Sequence, residues 1–152
     1  MTHVLSFCHN QRMQKLLLAV FLLSATGWSG SLAAQCLYYG DASLTGRLVQ
    51  QTYPGPPDFE SVTKGDAPLV IWILQLDIGV CILSSDPSYP NVYDEREIQL
   101  VLGNDQYART DRYAQYRHLL GKKVAVTGRL QPGGGKYEKP AVIATRAIKE
   151  LY

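Results

Sequence analysis

The stretch from Leu119 to Leu130, LLGKKVAVTGRL, constrains the fold of this chain more than any other. Val124, Val126 and, past Gly128, Leu130 project to one side, while Lys123, Ala125, Thr127 and Arg129 project to the other, which is the period of a strand with one packed and one wet face. Gly121 stands where a helix C-terminus commonly takes a left-handed residue, and Lys122 and Lys123 complement the negative end of a helix dipole. A helix is therefore expected to stop at Leu120 and a strand to follow. A glycine in mid-strand, Gly128, weakens pairing unless the strand bends or receives another backbone closely, as in a small, strongly curved barrel. The same four letters occur at Thr45-Gly46-Arg47-Leu48, which predicts a second bent strand. The segments flanking the two copies share no period that would mark a duplication.

The rest of the chain fits around this junction. Cys36 to Gln51 reads as the first strand region, CLYYG then SLTGRLVQQ about a turn at Gly40-Asp41, with a bend or bulge at Gly46 because Leu44, Leu48 and Val49 do not alternate cleanly. TYPGPPDFESVTKGDAP holds four prolines and two glycines and is one stiff loop. In LVIWILQLD, Leu69 to Asp77, both faces are apolar, so this strand is central. A short turn at Ile78-Gly79 leads to VCIL, SSDPSYPNVYDER is a second loop, and REIQLVLG is a strand with Ile98, Leu100 and Leu102 inward. From Asn104 to Leu120 there is no proline or glycine. One helix is predicted there, continuous or broken near Thr110, capped at Asn104 or Asp105 with a second cap at Asp111, packing Tyr113, Tyr116 and Leu120 and leaving Arg109, Arg112 and Arg117 wet. QPGGGKYEKP is a flexible turn before AVIATRAIKEL, read as a last strand in which Val142, Ala144, Arg146 and Ile148 oppose Ile143, Thr145, Ala147 and Lys149. The order strand, strand, strand, helix, strand, strand predicts a mainly β, five-stranded oligonucleotide/oligosaccharide-binding (OB)-like Greek-key barrel with one helix between strands 3 and 4.

The N-terminal residues bound the compartment. Arg12 and Lys15 precede an apolar run from Leu16 to about Ala25, followed by small residues, the pattern of a secretory signal peptide over residues 1–34. The run is shorter than a membrane span of roughly 20 residues, so no transmembrane anchor is expected after processing. Cleavage after Ala34 or Ala33 and a start at Met1 or Met13 all leave a single domain over residues 35–152. Gln35 directly before Cys36 argues against lipidation, and a periplasmic location follows. Loss of Arg12 and Lys15 takes the 15 basic residues down to 13, level with the 13 acidic ones. The mature charge is near zero and points away from a nucleic-acid partner. Cys8 leaves with the signal, so Cys36 and Cys81 form an even pair in an oxidising compartment, where a disulfide is expected.

Catalytic and metal-binding patterns are missing. His118, the one histidine of the mature chain, has no cysteine or carboxylate at ligand spacing, and Ser61, Ser84, Ser85 and Ser88 lie in loops without a nucleophile-elbow setting. Gly133-Gly134-Gly135-Lys136 joins two strands and lacks the helix N-terminus of a phosphate cradle. The carboxylates Asp58 and Glu60, and Asp94, Glu95 and Glu97, fit surface ion pairs. No cofactor is implied.

Taken in order after the early CLYYG, the segments YPGPPDFESVTKGDAP, WILQLD, REIQLVL and LLGKKVAVTGRL resemble a family of small exported bacterial proteins carrying the domain of unknown function number 4431. The resemblance covers nearly the whole mature chain and implies an exported OB-like barrel without an established activity. Family members often carry a Thr-Gly-His-His segment in the last hairpin, where this chain has GGGKYEKP, so no histidine-based metal role carries over. The function expected is a non-catalytic binding module for a small molecule or an envelope protein. Its rim is Tyr53, Phe59, Glu60 and Tyr137, on the 53–68 loop and the last hairpin; the alternative is a protein-interaction role, such as an inhibitor or immunity protein for an envelope enzyme.

Overall fold

The computed structural model describes residues 36–104, 107–108 and 111–152. The expected signal segment with its start and cleavage positions, the alternative cap at Asp105 and the expectation for Arg109 lie outside these residues. The strands are β1 (Cys36–Tyr38), β2 (Gly40–Pro54), β3 (Pro68–Leu83), β4 (Val92–Leu102), β5 (Lys123–Pro132) and β6 (Ala141–Glu150). A single short helix, α1 (Asp111–Ala114), and a 3-10 turn at Arg117–Leu119 lie between β4 and β5. The described residues are mainly β, with their six strands in one sheet of order β1-β3-β2-β5-β6-β4 and a further pairing of β3 with β4.

Six strands replace the five expected. The chain breaks at Tyr39 and Gly40, whose φ of 139° suits glycine, so Cys36–Tyr38 becomes a separate strand parallel to the end of β3. Cys36 then faces Cys81 in register, and the two form the expected disulfide with Cα atoms 4.4 Å apart.

The two glycines in the repeated Thr-Gly-Arg-Leu stand at close approaches between strands. β2 pairs with β5 from Gly40 to Arg47 and with β3 from Gly46 to Pro54, so Gly46 sits where one strand changes partners. A Cβ on Gly46 would meet the Gln75 carbonyl, and one on Gly128 the Ala144 carbonyl, which is the close backbone approach that the sequence predicts. No bulge marks Gly46 in either ladder, and Leu44, Gly46 and Leu48 alternate cleanly on the buried side. The irregularity lies instead at Thr127 and Gly128 opposite β6. That slip moves β6 from one alternation to the other, so Ile143 and Ile148 are both in the core and the simple opposition of faces expected for this strand fails.

β3 is one strand of 16 residues, with no turn at Ile78-Gly79. Gly79 lets it run on by accepting Asp94 against the place a Cβ would take, and the ladder to β4 slips between Gln75 and Val80. β4 begins at Val92, so the second loop ends at Asn91.

The 17-residue helix expected from Asn104 to Leu120 contracts to α1 and the 3-10 turn. Leu120 is extended (φ −60°, ψ 133°), Gly121 is left-handed (φ 83°), and Lys122 N–H donates to Leu119 O at 3.0 Å. Gly121 thus serves a type II turn rather than a helix cap, and its own N–H donates to Leu48 O on β2 at 2.7 Å. Tertiary bonds replace helical ones over this segment.

The packed side of the sheet is one apolar cluster that includes Leu48, Trp72, Leu74, Ile98, Leu100, Val124, Val126, Leu130 and Ile143. Tyr113 closes it, with its ring edge-on to Trp72 at 5.1 Å and its hydroxyl accepting from Leu102 N–H and donating to Leu100 O. On the opposite side of β3, Leu69, Ile71 and Ile73 are also buried, as a central strand requires.

Candidate functional site

The 55–67 connection between β2 and β3 is built around one carboxylate. Asp66 is buried and accepts from the backbone N–H groups of Asp58 (2.9 Å), Glu60 (2.7 Å) and Ser61 (2.7 Å). The Asp58 bond first, and then that of Ser61, hold its carboxyl below the usual range, because hydrogen bonds to the anion favour it. Gly55 N–H to Ala67 O and Ala67 N–H to Pro56 O close the base of the loop. The Asp66 hub, which sequence reasoning passed over, gives this proline-rich segment its shape.

The β5–β6 hairpin is shaped in the same way. Gly133 N–H donates to Pro140 O across its base, and the Glu138 carboxylate accepts from the N–H groups of Gly134 and Gly135. The triglycine that superficially resembles a phosphate cradle therefore holds the chain's own carboxylate. Tyr137 follows with φ 67°.

These two loops meet. Tyr53 and Tyr137 stack with ring centroids 4.7 Å apart and planes 15° apart, and Tyr137 Oη donates to Phe59 O at 3.4 Å. Lys136 Nζ lies 4.3 Å from the centre of the Phe59 ring and 5.3 Å from that of Tyr137. Tyr53, Phe59 and Tyr137, expected to share a rim, thus come together on one surface. Glu60 stands apart, in an exposed ion pair with Lys64 at 3.8 Å. No protein-family model and no curated protein matches this chain.

Beside the aromatic rim lies a polar row that the sequence reading did not assemble. Glu97 on β4 accepts from Gln51 Nε2 on β2 and Gln75 Nε2 on β3, both at 3.4 Å, and from Lys139 Nζ at 2.6 Å. Tyr53 Oη donates to Gln51 Oε1 at 2.6 Å, which ties the row to the stacked tyrosines. Gln99, fully buried, accepts from Lys139 N–H at 3.2 Å. The Lys139 hydrogen bond is the main reason that the Glu97 carboxyl lies below its ordinary value; burial opposes it. For Lys139, burial alone would lower the pKa, but the hydrogen bond and charge of Glu97, with a smaller contribution from Tyr53, raise it. Gln75 and Gln99 were visible as polar letters inside apolar strands; which residues they would meet was not.

The other candidates are dispersed. His118 is exposed in the 3-10 turn, and Ser84 is used internally, its hydroxyl donating to Asp86 O. Asp94 pairs with Arg96 at 3.5 Å on the surface. Among the described residues, no three histidine, cysteine or carboxylate side chains come together as a metal ion would need, and no helix is long and apolar enough to cross a membrane.

Proposed function

We propose that this chain is an exported, non-catalytic binding module of the periplasm, built on a five-stranded OB-like Greek-key barrel to which β1 is added at the edge. Five pairings support the barrel: β2 with β3, β3 with β4, β4 with β6, β6 with β5 and β5 with β2 run in a circuit, and only the β4–β6 pair is parallel among them. In such a barrel the 55–67 loop joins the first two strands and the 133–140 hairpin the last two. Those loops flank the face of the second and third strands that OB folds use for ligands. The meeting of Tyr53, Phe59, Tyr137 and Lys136 beside Gln51, Gln75 and Glu97 is the observation that carries the reading. Rigid aromatic faces supply contact area at low entropy cost, and the carboxamides supply directional polar contacts. The disulfide accords with an oxidising compartment, the balanced charge with a partner other than nucleic acid, and the resemblance to the exported family with the same architecture.

The test is capture from native periplasmic extract, followed by native mass spectrometry of the purified protein. A small molecule retained by the wild type and lost in a Tyr53→Ala, Tyr137→Ala double variant supports the reading. Retention by the double variant, or a turnover product in its place, overturns it. A protein-interaction role is the second reading, favoured by the exposed Tyr38 (64%), two residues from Cys36, and the exposed Tyr93 (69%), on the part of β4 that pairs with residues 80–82. A stable protein partner lost in a Tyr38→Ser, Tyr93→Ser variant would select it.

A further inference from the structure

A groove lies on residues other than those of the stacked tyrosines. It measures about 490 Å³ and is bordered by the start of β2, the 84–91 loop and the end of β5, and its polar lining includes Ser85, Asp86, Arg129 and Gln131, with the rings of Tyr39 and Tyr89 beside them. Its size falls in the range of small-molecule sites and would hold one or two pyranose rings.

The groove wall is held in place before any ligand arrives. Ser84 N–H donates to Asn91 Oδ1 (2.8 Å), Asp86 N–H to Ser84 Oγ (3.0 Å), Ser88 N–H to Asp86 Oδ1 (2.8 Å) and Tyr89 N–H to Asp86 O (3.1 Å). Tyr39 Oη donates to Pro90 O at 3.2 Å and so ties the loop to the start of β2. Preorganisation of this kind lowers the entropy cost of binding. Tyr89 remains 48% exposed.

The charge on the groove comes from Arg129. Its cross-strand neighbour on β2 is Asp41, the carboxylate best placed to neutralise it. Asp41 is taken instead by Arg146, whose Nη2 lies 2.8 Å from Asp41 Oδ1. Among the described residues Arg129 makes no ion pair, and its planar fork is available for bidentate contact with a carboxylate. Hydroxyl and carboxamide groups around it suit a hydroxylated ligand, and the remaining lining residues are Gly40, Leu130 and Pro132.

We propose that this groove binds a carboxylate-bearing sugar residue, its acid group on Arg129, its hydroxyls on Ser85 and Gln131, and its ring against Tyr89. Asp86 carries the one opposing charge and sets an upper limit on affinity.

The experiment titrates the mature protein with trigalacturonate, with neutral maltotriose, and with a tripeptide bearing a free C-terminal carboxylate, following backbone and Arg129 Nε signals by 15N NMR. Trigalacturonate is expected to shift the signals of Ser85, Tyr89, Arg129 and Gln131. Arg129→Met should weaken it at least about tenfold, Arg129→Lys less, and Asp86→Asn should strengthen it about two- to fivefold as a repulsion is removed. Arg129 is exposed, so thermal melting of the variants should match the wild type and show that they are folded. Equal binding of maltotriose, binding of the tripeptide alone, undiminished binding by Arg129→Met, or no shift at about 10 mM trigalacturonate, well above a millimolar dissociation constant, each overturns the proposal.

Discussion

Replacing Tyr113 by phenylalanine removes one oxygen atom from the closed end of the core, and its cost can be worked out. The ring is 1% exposed, edge-on to Trp72, and its hydroxyl both accepts from Leu102 N–H at 3.1 Å and donates to Leu100 O at 3.2 Å. Phenylalanine keeps the ring and its packing but leaves two buried backbone groups on β4 short of a partner. At about 1 kcal/mol for each hydrogen bond, and more where a group is left wholly unsatisfied, the loss is about 2 kcal/mol. A domain of about 117 residues unfolds with an entropy of roughly 250 cal/mol/K, so the melting temperature should fall by about 8 °C. Urea unfolding followed by Trp72 fluorescence and far-UV circular dichroism measures the change directly. The midpoint should drop with the slope unchanged, because the surface exposed on unfolding is the same. Tyr116→Phe, at a half-buried site, should stay within about 0.5 kcal/mol. A Tyr113→Phe loss below about 0.5 kcal/mol at an unchanged slope would refute the view that this hydroxyl pins the segment between β4 and β5 to the core.

Four further outcomes follow from the same structure. Gly128→Ala and Gly46→Ala should each cost about 1–3 kcal/mol in urea melts, since the new methyl meets a neighbouring strand's carbonyl. Serine at both Cys36 and Cys81, 45 residues apart, should cost roughly 4 kcal/mol by the chain-entropy argument, and an intact mass should lack two hydrogens relative to the reduced protein. Glu97 has its pKa depressed in the folded state, so its pairing contributes stability above the unfolded value of about 4.3, and that contribution disappears as pH falls through the folded value. Melting temperature should hold from about pH 7 to 5 and then decline, and Glu97→Gln should flatten the decline. Lys139→Met leaves Glu97, 31% exposed, without its cation and should cost about 1–2 kcal/mol, while hydrogen exchange quickens along 133–140.

Local rules carried far along this chain. Alternation placed β5 and the central part of β3 correctly, and the mid-strand glycines at 46 and 128 announced a close backbone approach that the structure shows at both. Cysteine parity, under the expectation of an oxidising compartment, led to the Cys36–Cys81 bond. Each of these is a statement about one residue's own geometry or about a count, and needs no knowledge of what lies across the sheet.

What failed depended on partners distant in sequence. The absence of proline and glycine from Asn104 to Leu120 predicted a long helix, yet Gly121 N–H binds Leu48 O, 73 positions away, and Tyr113 hangs from β4; tertiary bonds outcompete a helix of marginal length. The ladder slip at Thr127 and Gly128 reverses the alternation of β6, which no pattern within β6 records. Of the rim residues, Tyr53, Phe59 and Tyr137 stand together because Asp66 and Glu138 each fold a loop around a carboxylate, whereas Glu60 faces Lys64. The sequence by itself determined a mainly β chain with two close backbone approaches and one covalent tie, because period, glycine and cysteine act locally. The tertiary structure alone decided which side chains share a surface, because Gln51, Gln75, Glu97 and Lys139 come from four separate segments and meet only when the strands pair.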